Sequence, residues 1–249
     1  MKRLMALVLF AAAATAFARS TVDFDFGWRF SKGDFSSAMQ PAFNDSAWRE
    51  VNLPHDWSIE GPFSAEYSSG TGYTPGGIAW YRKHFKLDAA APGRVVTVEF
   101  DGIYDNSEVW LNGHFVGGRP YGYSSFALDL TRYLKPPGAD NVLAVRVDDS
   151  AAPSTRWYNG SGIYRPVRLI ATGYTHFHLD GGIRVSTPQI GPAQAVVQID
   201  AIVDAHFFTD DERRAWAKDP WQVKPVKREL VFRSAVLAPD GREVARTES

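Results

Sequence analysis

The stretch from Asp101 to Gly113, which reads as a strand ending in a tight hairpin, does most to restrict the folds open to this chain. Val109 and Leu111 fall on one side of an extended backbone, and Glu108 and Trp110 on the other. Asn112-Gly113 then supplies the two positive-φ residues of a type I′ hairpin turn. The same grammar recurs along the chain. Val22, Phe24, Phe26, Trp28 and Phe30 alternate with Asp23, Asp25, Gly27 and Arg29, which predicts one half-buried strand. Further strands are predicted at Ile78–Phe85, Arg94–Asp101, Ser125–Leu130, Asn141–Val147 and Tyr164–Ala171, separated by turns such as Pro136-Pro137-Gly138. Phe43–Val51 reads as a short helical turn closed by a buried Trp48, and Ser58–Gly77 as a long loop rich in Gly and Pro. A loop of that length inside a compact domain is often functional. Many short, evenly spaced strands of this kind predict an all-β chain, with a jelly-roll sandwich over residues 22–172.

Gly173 to Thr175 reads as a domain boundary. Beyond it, strands are predicted at Gly182–Ser186, Gln194–Val203, Leu230–Leu237 and Glu243–Ala245, the last two joined across Pro239-Asp240-Gly241. Asp210–Lys218 is charged and reads as a helical or irregular insertion. About four strands, against roughly seven in a complete immunoglobulin-like sandwich, predict a second, truncated sandwich over 173–249 with an exposed strand edge.

The first 18 residues lie outside this pattern. Lys2 and Arg3 precede an apolar, Ala-rich run from Leu4 to Phe17, and Ala16-Phe17-Ala18 has the small-x-small form of a signal-peptidase site. The expectation is a signal peptide cut near Ala18 and a secreted or periplasmic bacterial protein with no membrane attachment after cleavage. The chain has no cysteine, so its stability rests on a core that eight Trp and sixteen Phe can fill. A net charge of −1 argues against a nucleic-acid partner.

Chemistry-bearing motifs are sparse. No phosphate-cradling Gly loop and no serine nucleophile elbow occurs. His176 and His178 read as polar residues on the outer face of a linker strand, although Asp180 lies near enough in sequence to be a third metal ligand. Glycoside cleavage needs a pair of carboxylates. Asp56, Glu60, Glu66, Asp101, Asp105 and Glu108 are all available, yet none comes as a recognisable pair. Asp101 and Asp105 read as bend residues bonding their own backbone, and Asp148-Asp149 as a turn device. The run Arg156-Trp157-Tyr158-Asn159-Gly160-Ser161-Gly162-Ile163-Tyr164-Arg165 is richer. Aromatic rings with Arg and Asn in one loop form a kit for binding sugar. They equally suit a sandwich loop whose rings fill the core edge and whose Arg pairs with an Asp.

Taken in order, Trp28-Arg29-Phe30, Leu53-Pro54-His55-Asp56-Trp57, Pro75–Lys83, Asp101–Gly113, Arg156–Arg165 and Gly182-Ile183-Arg184-Val185 resemble the N-terminal portion of glycoside hydrolase family two, the β-galactosidase and β-glucuronidase family. The resemblance covers residues 22 to 249. It implies a sugar-binding jelly roll, an immunoglobulin-like sandwich and then a TIM barrel carrying a Glu acid/base and a Glu nucleophile. The implied activity is retaining hydrolysis of β-linked glycosides such as β-galactosides. A barrel takes about 250 residues, so both catalytic glutamates are expected beyond Ser249, and no catalytic residue is assigned within this chain. The resemblance also implies that the first domain reaches into the barrel's pocket. Arg156 occupies a position where well-known members carry an acidic residue, and the Tyr67-Ser68-Ser69 region one where several carry Asn. The expected sugar contacts are Arg156 as a clamp on a hydroxyl or carboxylate, Trp157 and Tyr158 as a wall, and the 58–77 loop, Ser69 in it, as a rim, with Asp56 as a further substrate-binding residue. No cofactor and no metal is expected; the partners are a carbohydrate and the family's barrel, in cis or in trans. The alternatives are a stand-alone carbohydrate-binding or envelope adhesion module, and a structural subunit docking on a separate barrel.

Overall fold

A computed structural model describes residues 19–87, 94–151, 157–205, 233–238 and 240–248. The signal-like segment, Arg156 and residues 210–225 lie outside the described residues. The chain divides into two compact units, Met1–His176 and Phe177–Ser249.

The first unit holds β1 (Ser20–Asp23), β2 (Trp28–Lys32), β3 (Arg49–Val51), β4 (Gly77–Phe85), β5 (Val95–Phe100), β6 (Ser107–Leu111), β7 (His114–Arg119), β8 (Phe126–Asp129), β9 (Asn141–Asp149) and β10 (Val167–Thr172). They form a four-stranded sheet in the order β1-β10-β5-β8 and a six-stranded sheet in the order β3-β2-β4-β9-β6-β7. Val96, Val98, Phe100, Val167 and Leu169 from the first sheet meet Trp28, Phe30, Tyr81, Val109, Leu111, Leu143, Val145 and Val147 from the second in one core. This is an antiparallel β-sandwich, as the alternation predicts.

The six-stranded sheet is covered on its other face too. Ala38, Trp80 and Ala144 are buried there with Phe35, Met39, Phe43, Trp48 and Trp110 against them, and Trp80 stacks on Trp110 at 5.3 Å. That second layer explains why β4 and β9 are buried at consecutive positions, Ala79 to Arg82 and Asn141 to Val145, rather than at alternate ones. Arg82 is fully buried within it. Its Nε donates to Asp45 Oδ2 at 2.7 Å, and its Nη atoms donate to the carbonyls of Ala38, Gln40 and Phe43. One guanidinium thus fastens the whole connection between β2 and β3.

Four expectations need correction. The segment 22–30 is two strands, not one: Gly27 has φ +70° and the chain passes from the four-stranded to the six-stranded sheet, leaving Val22 and Phe26 exposed. Phe43–Val51 is a turn leading into β3 rather than a helix, with Trp48 N–H donating to Asp45 O at 3.0 Å. Residues 101–106 are not strand; β6 begins at Ser107. The Asn112-Gly113 turn itself is as predicted, with φ +52° and +87°.

The fourth concerns the chain beyond Gly173, which holds six described strands instead of about four: β11 (Thr175–Phe177), β12 (Ile183–Ile190), β13 (Ala195–Ala201), β14 (Val203–Ala205), β15 (Arg233–Leu237) and β16 (Glu243–Glu248). They pair as β11-β14, β12-β13 and β15-β16. The extra strands arise because the predicted 194–203 strand breaks at Ile202, whose N–H donates to Gly182 O at 2.8 Å, and because the linker Thr175–Phe177 is itself a strand. Pairing of Arg233–Leu237 with Glu243–Glu248 is as predicted.

Candidate functional site

The described part of the run, Trp157–Arg165, is stitched into the sandwich from both sides. His55 N–H donates to Ile163 O at 2.9 Å and Trp57 N–H to Ser161 O at 3.1 Å. On the other side Tyr104 and Gly162 exchange two backbone hydrogen bonds, at 2.9 and 2.8 Å. The run therefore lies between the Leu53–Trp57 motif and the Asp101–Asn106 bend, and the three motifs form one structural unit. Gly162 makes this crossing possible. Its φ is +121°, and a Cβ there would lie 2.3 Å from Tyr81 Oη and 2.8 Å from His55 O. Only glycine fits that combination.

Asp56 is the clasp. Its Oδ1 accepts from Ser58 N–H at 2.9 Å and Ser161 N–H at 2.8 Å, and its Oδ2 accepts from the Tyr158 hydroxyl. Burial, then the Asp56 carboxylate, raise the Tyr158 pKa, so the phenol stays a neutral donor. Gly160, at φ +75°, has room for no side chain, because a Cβ would come 2.7 Å from Asp56 Oδ2. The other anchor of the loop is a polar relay. His55 Nδ1 lies 2.7 Å from Tyr81 Oη and its Nε2 3.1 Å from Glu60 Oε1, while Arg49 pairs with Glu60 at 2.5 Å. Burial lowers the His55 pKa.

The 58–77 loop orders itself. Ser68 Oγ accepts from Gly70 N–H, Thr71 Oγ1 donates to Ser68 O at 3.0 Å, Thr74 Oγ1 donates to Thr71 O at 2.8 Å, and Ser64 N–H donates to Tyr73 O at 3.1 Å. It closes like an Ω-loop against the Tyr158 ring, which lies 3.8 Å from where a Gly72 side chain would begin. Between loop and run lies a cavity of about 140 Å³, lined by Glu66, Tyr67, Ser68, Thr71, Thr74, Asp149, Tyr158 and Asn159 among others.

Asp149, at the end of β9, is the least exposed carboxylate in that lining. Its Oδ2 accepts from Ser161 Oγ at 2.5 Å, and Ser161 Oγ is also 2.5 Å from Ser58 Oγ. Burial holds the Asp149 pKa up, to about 7; the Ser161 hydroxyl opposes this, and the charges of Asp105, Asp56 and Asp148 add to it. Burial likewise lifts Asp105 to about 6. The expectation that Asp148-Asp149 is a turn device holds only for Asp148, which accepts from Ser150 N–H and Oγ. Asp101 does not cap its own backbone either; it pairs with Arg168.

Of the expected sugar contacts, Tyr158 lines the cavity, and Asp56 stands directly behind it with both oxygens engaged. Ser69 is exposed on a single 3-10 turn at the rim, where its neighbours Ser68 and Thr71 supply the lining. Trp157 sits apart from the lining, its Nε1 donating to Tyr123 Oη at 3.1 Å. Thr71 and Thr74 are not singled out within the 58–77 loop by the sequence, and Glu66 and Asp149 read there as a spare carboxylate and a turn residue, because no local pattern distinguishes a cavity-facing hydroxyl or carboxylate from a turn residue. His178 Nδ1 lies 2.8 Å from Asp204 Oδ2 and His176 Nδ1 2.9 Å from Gly173 O.

Hydroxyls, carboxylate oxygens and two tyrosine rings around a small cavity are groups that recognise a polyhydroxylated ligand. Comparison with known proteins decides the lineage. The sequence profile of the glycosyl hydrolases family 2 sugar binding domain matches residues 23–173. The chain belongs to that family. It is 44% identical over 234 residues to the beta-galactosidase BoGH2A of Bacteroides ovatus, covering 93% of this chain and 25% of that protein. It is 31% identical over 180 residues to a beta-glucuronidase of Formosa agariphila, covering 66% of this chain and 18% of that one. A crystal structure of a beta-glycosidase from Bacteroides vulgatus superposes with a TM-score of 0.76 at 37% identity, over 92% of this chain and 27% of that one. The chain thus spans about a fifth to a quarter of the length of these relatives. It corresponds to an N-terminal portion of family 2 β-glycosidases.

Proposed function

We propose that this chain shapes the sugar pocket of an exported, retaining β-glycosidase acting on β-galactosides, with bond cleavage carried out by a catalytic barrel in cis or in trans. The observation that carries this reading is the convergence of the 58–77 loop and the Tyr158–Ser161 segment on one cavity. Ser68, Thr71, Thr74 and Asn159 offer donors and acceptors to sugar hydroxyls there, and Tyr158 offers a ring face. Glu66 and Asp149 line the cavity, and no Lys or Arg does so among the described residues. Arg156, in the same run, is assigned to a sugar hydroxyl or carboxylate by its sequence position. Ser69 belongs to the rim, and Asp56 acts through Tyr158 by holding it. Export is read from Lys2, Arg3, the apolar run and Ala16-Phe17-Ala18.

Calorimetric titration with methyl β-D-galactoside, paired with a 4-nitrophenyl β-D-galactoside assay, tests this. Saturable binding that Tyr158→Ala weakens about tenfold, with no turnover by the chain itself, is the expected outcome. Turnover abolished by replacing a carboxylate within residues 19–248 would falsify the division of labour.

A further inference from the structure

Beside the cavity, a second group of rings stands out because it is exposed and yet held in place. Trp157, Tyr121 and Tyr123 are 62%, 60% and 40% exposed. They touch one another: Tyr121 and Tyr123 lie 5.6 Å apart between ring centroids, and Trp157 Nε1 donates to Tyr123 Oη at 3.1 Å. The backbone beneath them is clamped. Asn106 N–H donates to Pro120 O at 3.2 Å, and Tyr164 Oη donates to Gly122 O at 2.9 Å. Gly122 lies flat on the buried Tyr104, where a Cβ would come within 2.3 Å of the ring. Tyr104 in turn packs edge-on against Tyr123 at 5.3 Å. A fixed loop therefore presents wet aromatic faces, the arrangement that gives contact area at small entropic cost.

The chemistry of the patch selects its ligand. Pro120–Ser125 contains no charged side chain, only one proline, aromatic rings, hydroxyls and glycine. One face of a pyranose presents C–H groups, which match the negative face of an aromatic ring, while its rim of hydroxyls matches phenol and indole donors. The patch adjoins the cavity along the chain: Trp157, outside the lining, directly precedes Tyr158, which lines it. We infer that Tyr121, Tyr123 and Trp157 form a stacking platform for the second and later sugars of a β-linked oligosaccharide whose terminal residue occupies the cavity. This rests on the cavity being a sugar site, and it adds a preference for chains over single sugars.

Paired titrations with methyl β-D-galactoside and β-1,4-galactotetraose test it, with near-ultraviolet circular dichroism confirming the fold of each variant. The tetraose should bind about tenfold more tightly than the monosaccharide. Tyr121→Ala and Trp157→Ala should abolish that advantage and leave the monosaccharide affinity unchanged. Equal affinities for the two probes, or an advantage that both variants retain, would overturn the platform while leaving the cavity reading intact. Absence of binding by either probe would sink the cavity reading and the platform together. A platform variant that changes the mass of the chain by light scattering, with tetraose affinity unaltered, would identify the patch as a protein contact and equally overturn the inference.

Discussion

Asp149 shows how one side chain links the fold to the site. Its ordinary pKa is 3.8, and in the folded chain it stands at about 7. A carboxyl whose folded pKa is raised binds its proton more tightly when folded than when unfolded. That contribution to stability is complete below about pH 4 and is lost as the pH climbs through 7. Asp149→Asn keeps the acceptor for Ser161 and removes the ionisation. Relative to the parent, the variant should gain about 1–2 kcal/mol of stability between pH 5 and pH 8, a figure reduced from the full shift because the cavity admits water. Urea titrations at the two pH values measure this, and a pH-independent difference would contradict it. The carboxylate's place in the cavity was hidden in the sequence. Asp148 and Asp149 are neighbours of one type, and only the three-dimensional placement of Ser161 separates the turn residue from the cavity residue.

Among elements, the crossing of the Tyr158–Ile163 segment between Leu53–Trp57 and Tyr104 sets the rim of the site. Gly162→Ala should cost roughly 3 kcal/mol, because backbone strain adds to a clash with buried Tyr81 and with the His55 carbonyl. Gly27→Ala should cost about 1 kcal/mol: φ is +70° there too, but nothing lies within 4 Å of the added methyl. Chemical denaturation of the pair separates strain from clash, and equal costs would refute the steric account. Much of this level was legible. The Asn112-Gly113 turn, β4 and β9 are determined by local pattern. The change of sheet at Gly27 was not, because Val22 to Phe30 keep perfect alternation while the chain leaves one sheet for the other. The role of Arg82 was equally invisible, since its partners Asp45, Ala38, Gln40 and Phe43 lie about forty residues away along the chain. Long-range partners leave no trace in hydrophobic period.

At the scale of the whole molecule, the two units differ in how well they bury what they carry. β4 and β9 are covered on both faces, whereas every residue of β12 and β16 is exposed, Ile183, Val185 and Val244 among them. Amides of Gly77–Phe85 and Asn141–Asp149 should therefore exchange at least about a hundredfold more slowly than those of Ile183–Ile190. Hydrogen exchange with mass spectrometry reads this directly, and uniform protection would contradict it. The all-β class and the family were legible in the ordered motifs, whereas the sugar itself depends on cavity-lining groups that only the fold assembles. The central claim is that the cavity between the 58–77 loop and the Tyr158–Ser161 segment holds the sugar. Backbone amide chemical-shift mapping with methyl β-D-galactoside tests it most directly. The predicted result is a saturable cluster of shifts at Ser68, Thr71, Thr74, Asn159 and Gly160. Shifts confined to Ile183–Ala201, or none at saturating sugar, would contradict it.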